Sequence, residues 1–328
     1  MPLGTFISVG RSLETALDRV RLAERFGYHS VFTTHLAGRD SLTVLAAYAN
    51  VSESIRLGTG VLPLWSRTPV ATAQQAATVD EMSRGRLTLG IGISHQVTVE
   101  YWYGAKIRKP VSEMRDYVAV LRAIFAGEDP PESETFPTRF HFLGLQPRAD
   151  LPIYVAALSP KMLELAGEVA DGVVLWLCNP DYIRDVVVPQ VREGRRKAGK
   201  SLDGFDIVAA VPTAVTDEVD GARATLRADL SPYFLLPFYR RMIERSGYEA
   251  DVKLFDEAME RGDASGAAIA ISDGFLENLA AIGPPDIAAA AVERYRDAGA
   301  TSPCIGAIPG TDFTTALEAL AELAHTQA

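Results

Sequence analysis

The stretch RLGTGVLPLWSRTPVATAQQAATVDEMSRGRLTLGIGIS, residues 56–94, combines two strand-like runs with one helix between them. Thr68 followed by Pro69 predicts the start of that helix, because a threonine side chain caps a first turn and proline fits the first helical position. Gly85 predicts its end. A strand, a helix and a second strand in this order are typical of a parallel sheet covered by helices.

The same unit recurs along the whole chain, where eight runs of strand length alternate with helical segments. The runs are TFISVG (5–10), SVFTTH (30–35), IRLGTGVLP (55–63), RLTLGIGIS (86–94), LPIYVAAL (151–158), GVVLWL (172–177), DIVAAVPTAV (206–215) and PCIGAIPG (303–310). Helix starts at Ser12, Ser159, Asn179 and Asp312 closely follow such runs. Eight units predict an α/β fold, a closed (β/α)8 TIM barrel, rather than an open doubly wound sheet.

Two intervals between the predicted strands are too long for simple connections. Residues 95–150 hold an amphipathic helix, 111–126, followed by a polar, proline-bearing segment that we interpret as a short hairpin. Residues 216–302 hold two or three helices by the same reasoning. Loops of this length usually belong to the active site, so both are predicted as insertions, after strands 4 and 7. We predict one domain over residues 1–328, with a bundle-like second domain at 216–302 as the alternative.

The composition favours a small-molecule function. The 32 Lys and Arg residues against 42 Asp and Glu residues give a formal net charge of −10, which argues against a nucleic-acid or membrane partner. The sequence shows no leader peptide and no long apolar run, so a soluble, cytoplasmic protein is predicted. Cys178 and Cys304 stand far apart, and the five histidines show no ligand spacing, so no metal site is predicted.

Familiar catalytic motifs fail on inspection. Gly90-Ile91-Gly92 lacks the third glycine of a dinucleotide fingerprint, and Gln96 stands where a nucleophile elbow needs its second glycine. Both the nicotinamide-Rossmann and the hydrolase interpretations are therefore weak.

In a TIM barrel the working residues lie at the carboxyl ends of the strands. This rule selects Gly10 and Arg11, Thr34 and His35, residues 60–64, Ser94 and His95, residues 156–159, residues 176–179, Pro212 and Thr213, and residues 308–310. The set is mostly small and apolar, with two histidines. It suits a flat aromatic ligand better than a charged-group transfer reaction.

Two features of these strand ends each allow two interpretations. Gly58 and Gly60 either leave a bare surface for a planar ring, or they mark a bulge or make room for a large side chain inside the barrel. The start of the helix at Ser159 and Pro160 either offers backbone amides to a phosphate, with Lys161 nearby, or is simply capped by the serine.

Taken together, several stretches resemble the luciferase-like flavin and deazaflavin oxidoreductase superfamily. They are AERFGYHSVFTTH (23–35), RLGTGVLPLWSRTPVATAQQAATVDEMSRGRLTLGIG (56–92), LPIYVAALSPKMLELAGEVADGVV (151–174) and LPFYRRMIERSGY (236–248). Within that superfamily the chain is most similar to the branch that uses coenzyme F420, typified by methylenetetrahydromethanopterin reductase.

The resemblance implies a TIM barrel that binds a deazaflavin at its carboxyl face. It also implies a non-prolyl cis bond at Gly60-Val61 behind the central ring. The positions that match the family's cofactor contacts are Gly60, Val61, Ser94, Ala156, Ala157, Leu158, Ser159 and Lys161.

Two histidines are the predicted catalytic residues. His35 matches the histidine that follows strand two in the family, although Thr34 replaces the usual aspartate before it. His95 stands where the glucose-6-phosphate dehydrogenases of the family place an acidic residue, and a histidine can handle protons near neutral pH.

The resulting hypothesis is a coenzyme F420-dependent oxidoreductase that transfers a hydride between the deazaflavin C5 and a small organic substrate. An FMN-dependent luciferase-like monooxygenase is the alternative in the same fold, and a non-catalytic flavin- or deazaflavin-binding protein is the alternative from another class. Family members commonly pair, so a homodimer is also possible.

Overall fold

The computed structural model describes residues 2–325, so residues 1 and 326–328 of the predicted domain lie outside the described part. The strands are Gly4–Phe6 (β1), Ser30–Thr33 (β2), Arg56–Thr59 (β3), Leu62–Pro63 (β4), Leu87–Gly92 (β5), Ile153–Ala156 (β6), Gly172–Leu175 (β7), Asp206–Val215 (β8), Ala281–Gly283 (β9) and Ser302–Ala307 (β10). The α-helices are Leu13–Arg25 (α1), Ser41–Ala49 (α2), Pro69–Met82 (α3), Pro110–Ala126 (α4), Pro160–Val169 (α5), Pro180–Tyr182 (α6), Val188–Lys197 (α7), Val219–Phe234 (α8), Pro237–Arg245 (α9), Glu249–Glu260 (α10), Ala264–Ile269 (α11), Asp273–Leu279 (α12), Pro285–Asp297 (α13), Phe313–Ala319 (α14) and Ala321–His325 (α15).

The strands close into a parallel barrel. Their order is β10, β1, β2, β3, β5, β6, β7, β8, and β10 pairs with β8 to complete the circle. The third position is shared by β3 and β4, which flank a cis Gly60-Val61 bond, and both pieces pair with β5. The predicted (β/α)8 barrel is confirmed. β9 is an addition, since it pairs only with the last residues of β8.

The predicted helix starts are confirmed at the level of single hydrogen bonds. The side chains of Ser12, Thr68, Ser159, Asn179 and Asp312 each accept a hydrogen bond from a backbone N–H in the first turn of the following helix. Each cap satisfies a donor that has no partner within the helix. The barrel units therefore begin where the local sequence predicts.

The insertion at 95–150 follows the fourth barrel strand, and it differs from the prediction in one respect. The amphipathic helix forms as α4, but residues 127–150 contain no strand, so the predicted hairpin is wrong. Prolines deprive this segment of ladder donors. Its Phe136 packs instead against Trp65 and Tyr117, with ring centroids 5.3 and 5.1 Å apart.

The insertion at 216–302 follows the seventh barrel strand and contains six helices, α8–α13, and β9, rather than the two or three helices predicted. The helices are short because left-handed glycines, such as Gly247 and Gly262, end them early. Arg227 of α8 donates hydrogen bonds to the carbonyl of Ile271 and to Asp273 of α12, and so connects these two helices.

The glycines of the third strand serve the barrel interior. A Cβ on Gly58 would lie 2.3 Å from the Phe32 ring, and one on Gly60 would lie 2.4 Å from the Phe6 ring. These two phenylalanine rings stack at 5.5 Å between centroids. The glycines therefore make room for large side chains inside the barrel, and the surface for a planar ring at Gly60 stays a prediction.

Candidate active site at the carboxyl end of the barrel

An apolar floor closes the barrel interior at its carboxyl end. Phe32 belongs to a buried apolar cluster inside the barrel, and the half-buried Phe6 and Val61 pack against that cluster. Val61 lies so close to β5 that a Cβ on Gly92 would be 2.7 Å from its methyl group. The floor carries no charge and leaves Gly60 and Val61 partly open.

His35 lies two residues after the end of β2, at the carboxyl end of the barrel. Its side chain is 10% exposed. Nδ1 accepts a hydrogen bond from the backbone N–H of Ser41 at 3.3 Å and lies 3.2 Å from the Ser41 hydroxyl. Burial and the nearby Arg67 guanidinium lower the pKa of His35, although Asp40 opposes them. This lowered pKa favours the neutral form of the His35 ring.

An ion pair adjoins His35. Nη2 of Arg67 donates to Oδ2 of Asp40 at 2.5 Å, and Nη1 donates to Gln75 at 2.6 Å. The other Asp40 oxygen caps α2 by accepting from the N–H and hydroxyl of Thr43, each at 2.9 Å. Burial raises the pKa of Asp40, but these hydrogen bonds outweigh it and keep the pKa below its usual value.

His95 lies against an aromatic wall that the second insertion supplies. Its ring centroid is 5.6 Å from that of Tyr239, which lies 4.9 Å from Tyr233, and Tyr233 lies 6.0 Å from Trp176. Tyr239 and Tyr233 belong to α9 and α8, whereas His95 and Trp176 follow β5 and β7. Burial lowers the pKa of His95. The second insertion thus covers one side of the barrel mouth.

The predicted positions that follow β6 lie between those of β5 and β7, the two strands with which β6 pairs. Ala156, Leu158 and Ser159 are partly exposed, whereas Ala157 is buried and packs in the layer between sheet and helices. The Ser159 hydroxyl caps α5 by accepting from Met162, so the capping interpretation is confirmed. Because Pro160 has no N–H, the amide of Lys161 is the first-turn donor that remains for a ligand.

Ser94 occupies an uncommon backbone conformation. Its φ is +68°, and Leu177 at the end of β7 has φ +61°. A left-handed conformation is disfavoured for residues other than glycine and is concentrated at functional sites. Both residues follow barrel strands at the carboxyl face.

Sequence reasoning found both histidines but missed the groups that hold them. Asp40, Ser41 and Arg67 surround His35, and Tyr239 packs on His95. Only Asp40 had a local signal, since an aspartate three residues before Thr43 is typical of a helix cap. Among residues 2–325, no group of His, Cys, Asp and Glu side chains could hold a metal ion. No helix there is long and apolar enough to cross a membrane.

A TIM barrel whose mouth offers an uncharged floor, flanked by histidines and aromatic rings, is of the class that binds planar organic molecules. The luciferase-like monooxygenase family profile matches residues 1–302. The chain belongs to that family.

The chain is also similar to individual proteins. It is 31% identical over 300 residues to the 5,10-methylenetetrahydromethanopterin reductase of Archaeoglobus fulgidus, with 89% of each chain covered. Among solved structures, the coenzyme F420-dependent tetrahydromethanopterin reductase of Methanopyrus kandleri superposes with a TM-score of 0.82 at 24% identity, covering 98% of this chain and 97% of that one. An F420-dependent secondary alcohol dehydrogenase follows with a TM-score of 0.77 at 19% identity, with 98% and 97% covered.

Proposed function

We propose that this chain is a coenzyme F420-dependent oxidoreductase that transfers a hydride between the C5 atom of the deazaflavin and a small organic substrate. The observation that carries the proposal is the sequence similarity to a reductase over about nine tenths of the chain. Two solved F420-dependent enzymes share the fold along almost its full length.

The residues at the barrel mouth fit such a cofactor. Phe6 and the Gly60-Val61 peptide offer a flat, apolar surface for a ring system. The indole Nε1 of Trp65, just after β4, is buried without a hydrogen-bond partner among residues 2–325. We assign the ring to Gly60, Val61 and Ser94.

The phosphate side of the cofactor would lie along the next strand. Ala156, Ala157 and Leu158 would contact it through their backbones. Ser159 and Lys161 lie at the start of α5, where the helix dipole and the free amide favour negative charge.

The bound cofactor would supply the hydride, and the protein would supply orientation, exclusion of water and proton handling. His35 and His95 follow β2 and β5 at the carboxyl end of the barrel. By the family resemblance, His95 stands where the glucose-6-phosphate dehydrogenases of the family place an acidic residue. We therefore assign contact with the substrate to these two histidines.

The FMN-dependent monooxygenase remains the second candidate, since the matching family profile bears that name. The relative at 31% identity is a reductase, which favours hydride transfer. Cytoplasmic location, pairing into a homodimer, the absence of a nucleic-acid partner and a single domain over residues 1–328 stay predictions.

A turnover assay tests the proposal. Purified protein is incubated with reduced F420 and a set of small ketones, enones and iminium compounds under nitrogen, and reoxidation of F420 is followed optically. We expect reoxidation that depends on both protein and compound. Turnover only with reduced FMN and oxygen would contradict the proposal in favour of the monooxygenase, and turnover with neither would favour the binding protein.

A further inference from the structure

The protonation site of His35 follows from its neighbours. The backbone N–H of Ser41 points at Nδ1 from 3.3 Å. An amide nitrogen can only donate, so Nδ1 must present a lone pair, and the proton of the neutral ring must be on Nε2. Nε2 has no partner among residues 2–325 and is not sealed from solvent. The N–H at Nε2 is therefore available to a ligand.

Asp40 is the group that could instead favour a proton on Nδ1 of His35. Its Oδ2 is 3.6 Å from Nδ1 of His35, too far for a hydrogen bond but near enough to pair with a protonated ring. Arg67 holds that oxygen at 2.5 Å, and Thr43 holds the other. These hydrogen bonds hold the carboxylate 3.6 Å from Nδ1, where Asp40 accepts no hydrogen bond from the ring.

Arg67 is itself fixed in place. Its side chain is 12% exposed. It donates to Asp40 and Gln75, and also to the Ser66 hydroxyl at 3.3 Å. A guanidinium held by three partners keeps its charge and its direction.

We propose that His35 acts as a neutral Nε2–H hydrogen-bond donor to the electronegative atom of the substrate, and not as a base. In this arrangement the Ser41 amide and Arg67 are positioning residues. The amide fixes the tautomer, and Arg67 prevents Asp40 from forming a histidine–aspartate pair. The identity of the substrate atom rests on the proposed function, whereas the tautomer does not.

Charged groups around the ring agree with this assignment. Arg67 opposes a positive charge on His35, and Asp40 favours one. Two further titratable side chains are affected by this ion pair, Tyr103 and Tyr117, and burial is the main cause that raises the pKa of each. Burial and Arg67 hold the pKa of His35 below its usual value, which favours the neutral ring as a donor.

Nitrogen-15 NMR of protein with labelled histidine tests the tautomer directly. The His35 signals are assigned by their loss in His35→Asn, and the protonated nitrogen is read from one-bond and two-bond couplings. We expect the proton on Nε2 between pH 7 and 8 in the wild type and in Ser41→Ala, which retains the amide. A proton on Nδ1 in the wild type would overturn the proposal.

Arg67→Met tests the role of the ion pair. Once Asp40 is released, we expect the His35 pKa to rise and a proton to appear on Nδ1. Arg115→Met removes a different ion pair, with the distant Glu168, and should leave the His35 signals unchanged. Unchanged His35 signals in a folded Arg67→Met would contradict the role of Arg67. If Arg67→Met does not fold, Asp40→Asn gives the same test with the opposite sign, a further fall in the His35 pKa.

The NMR experiment needs no cofactor, so its failure and failure of the proposed function are separate results. With turnover established, His35→Phe should lower kcat by about 10²-fold, the usual effect of losing one donor to a developing negative charge. The Kd for F420 should stay the same. In the wild type we expect no loss of kcat that follows His35 titration above pH 6.5.

Discussion

His95 differs from His35 in that no protein group among residues 2–325 hydrogen-bonds either of its ring nitrogens. It packs against the Tyr239 ring, and burial lowers its pKa. Its ring is therefore fixed by packing on one face, while its nitrogens remain free for a ligand. A histidine in this state can take up and release a proton, whereas the tautomer of His35 is fixed.

The first prediction concerns His95→Ala. We expect kcat to fall by about 10²-fold or more, the typical worth of a positioned proton-transfer group, with the Kd for F420 unchanged. As a proton donor His95 must be protonated, and its pKa is lowered, so wild-type kcat should fall as pH rises through a value below 6.5. The kcat–pH profile should lose this limb in the variant.

His141→Ala is the matched control, because His141 is exposed and pairs with an exposed Asp129 in the first insertion. It should leave kcat unchanged. Equal kcat in His95→Ala and His141→Ala would remove His95 from the mechanism.

At the residue scale, the sequence predicted where the two histidines lie but not which residues contact them. His35 and His95 were found because the ends of barrel strands are recognisable from the strand pattern. Arg67 meets Asp40 across 27 residues of chain, and Tyr239 of the second insertion meets His95, which follows β5. Such pairs depend on the folded barrel, and no local pattern predicts them.

At the element scale, helices α5 and α7 cross at unusually close range. A Cβ on Gly194 would lie 1.9 Å from the carbonyl oxygen of Glu164, and one on Gly167 would lie 2.2 Å from the carbonyl oxygen of Val191. Both obstacles are backbone atoms, which cannot move out of the way as a flexible side chain can. The two glycines therefore permit the helix contact.

The second prediction follows from this contact. Gly194→Ala should gain about 0.5–1 kcal/mol of helix propensity, but forcing two backbones apart costs about 1–3 kcal/mol, so we expect net destabilisation. Urea unfolding should show a lower midpoint at an unchanged slope.

Gly221→Ala is the control, since Gly221 lies in α8 with nothing within 4 Å of an added Cβ. We expect it to stabilise by about 0.4–1 kcal/mol. Equal midpoints for the two variants would contradict the account of the crossing.

The elements that the sequence predicted well are those with local signals. Caps at Ser12, Thr68, Ser159, Asn179 and Asp312 depend on residues within one turn, so they were predictable. The division of the third strand into β3 and β4, and the addition of β9 beyond the closed barrel, depend on pairing with distant strands. The sequence could not predict either.

At the scale of the whole molecule, the barrel supplies the floor and the insertions supply the walls. The second insertion is attached near the mouth, where Asn278 donates to Asp181 at 2.8 Å and Tyr239 packs on His95. The first insertion is attached by Phe136 against Trp65. Substrate choice therefore depends on segments other than the eight strands, which is why the strand pattern predicts the fold and not the substrate.

The most direct test of the F420 assignment is a fluorescence titration of the purified protein with coenzyme F420 and, in parallel, with FMN. The account predicts saturable F420 binding with a Kd of about 1 µM, about −8 kcal/mol, and much weaker binding of FMN. Tighter binding of FMN, or no binding of either molecule, would contradict it.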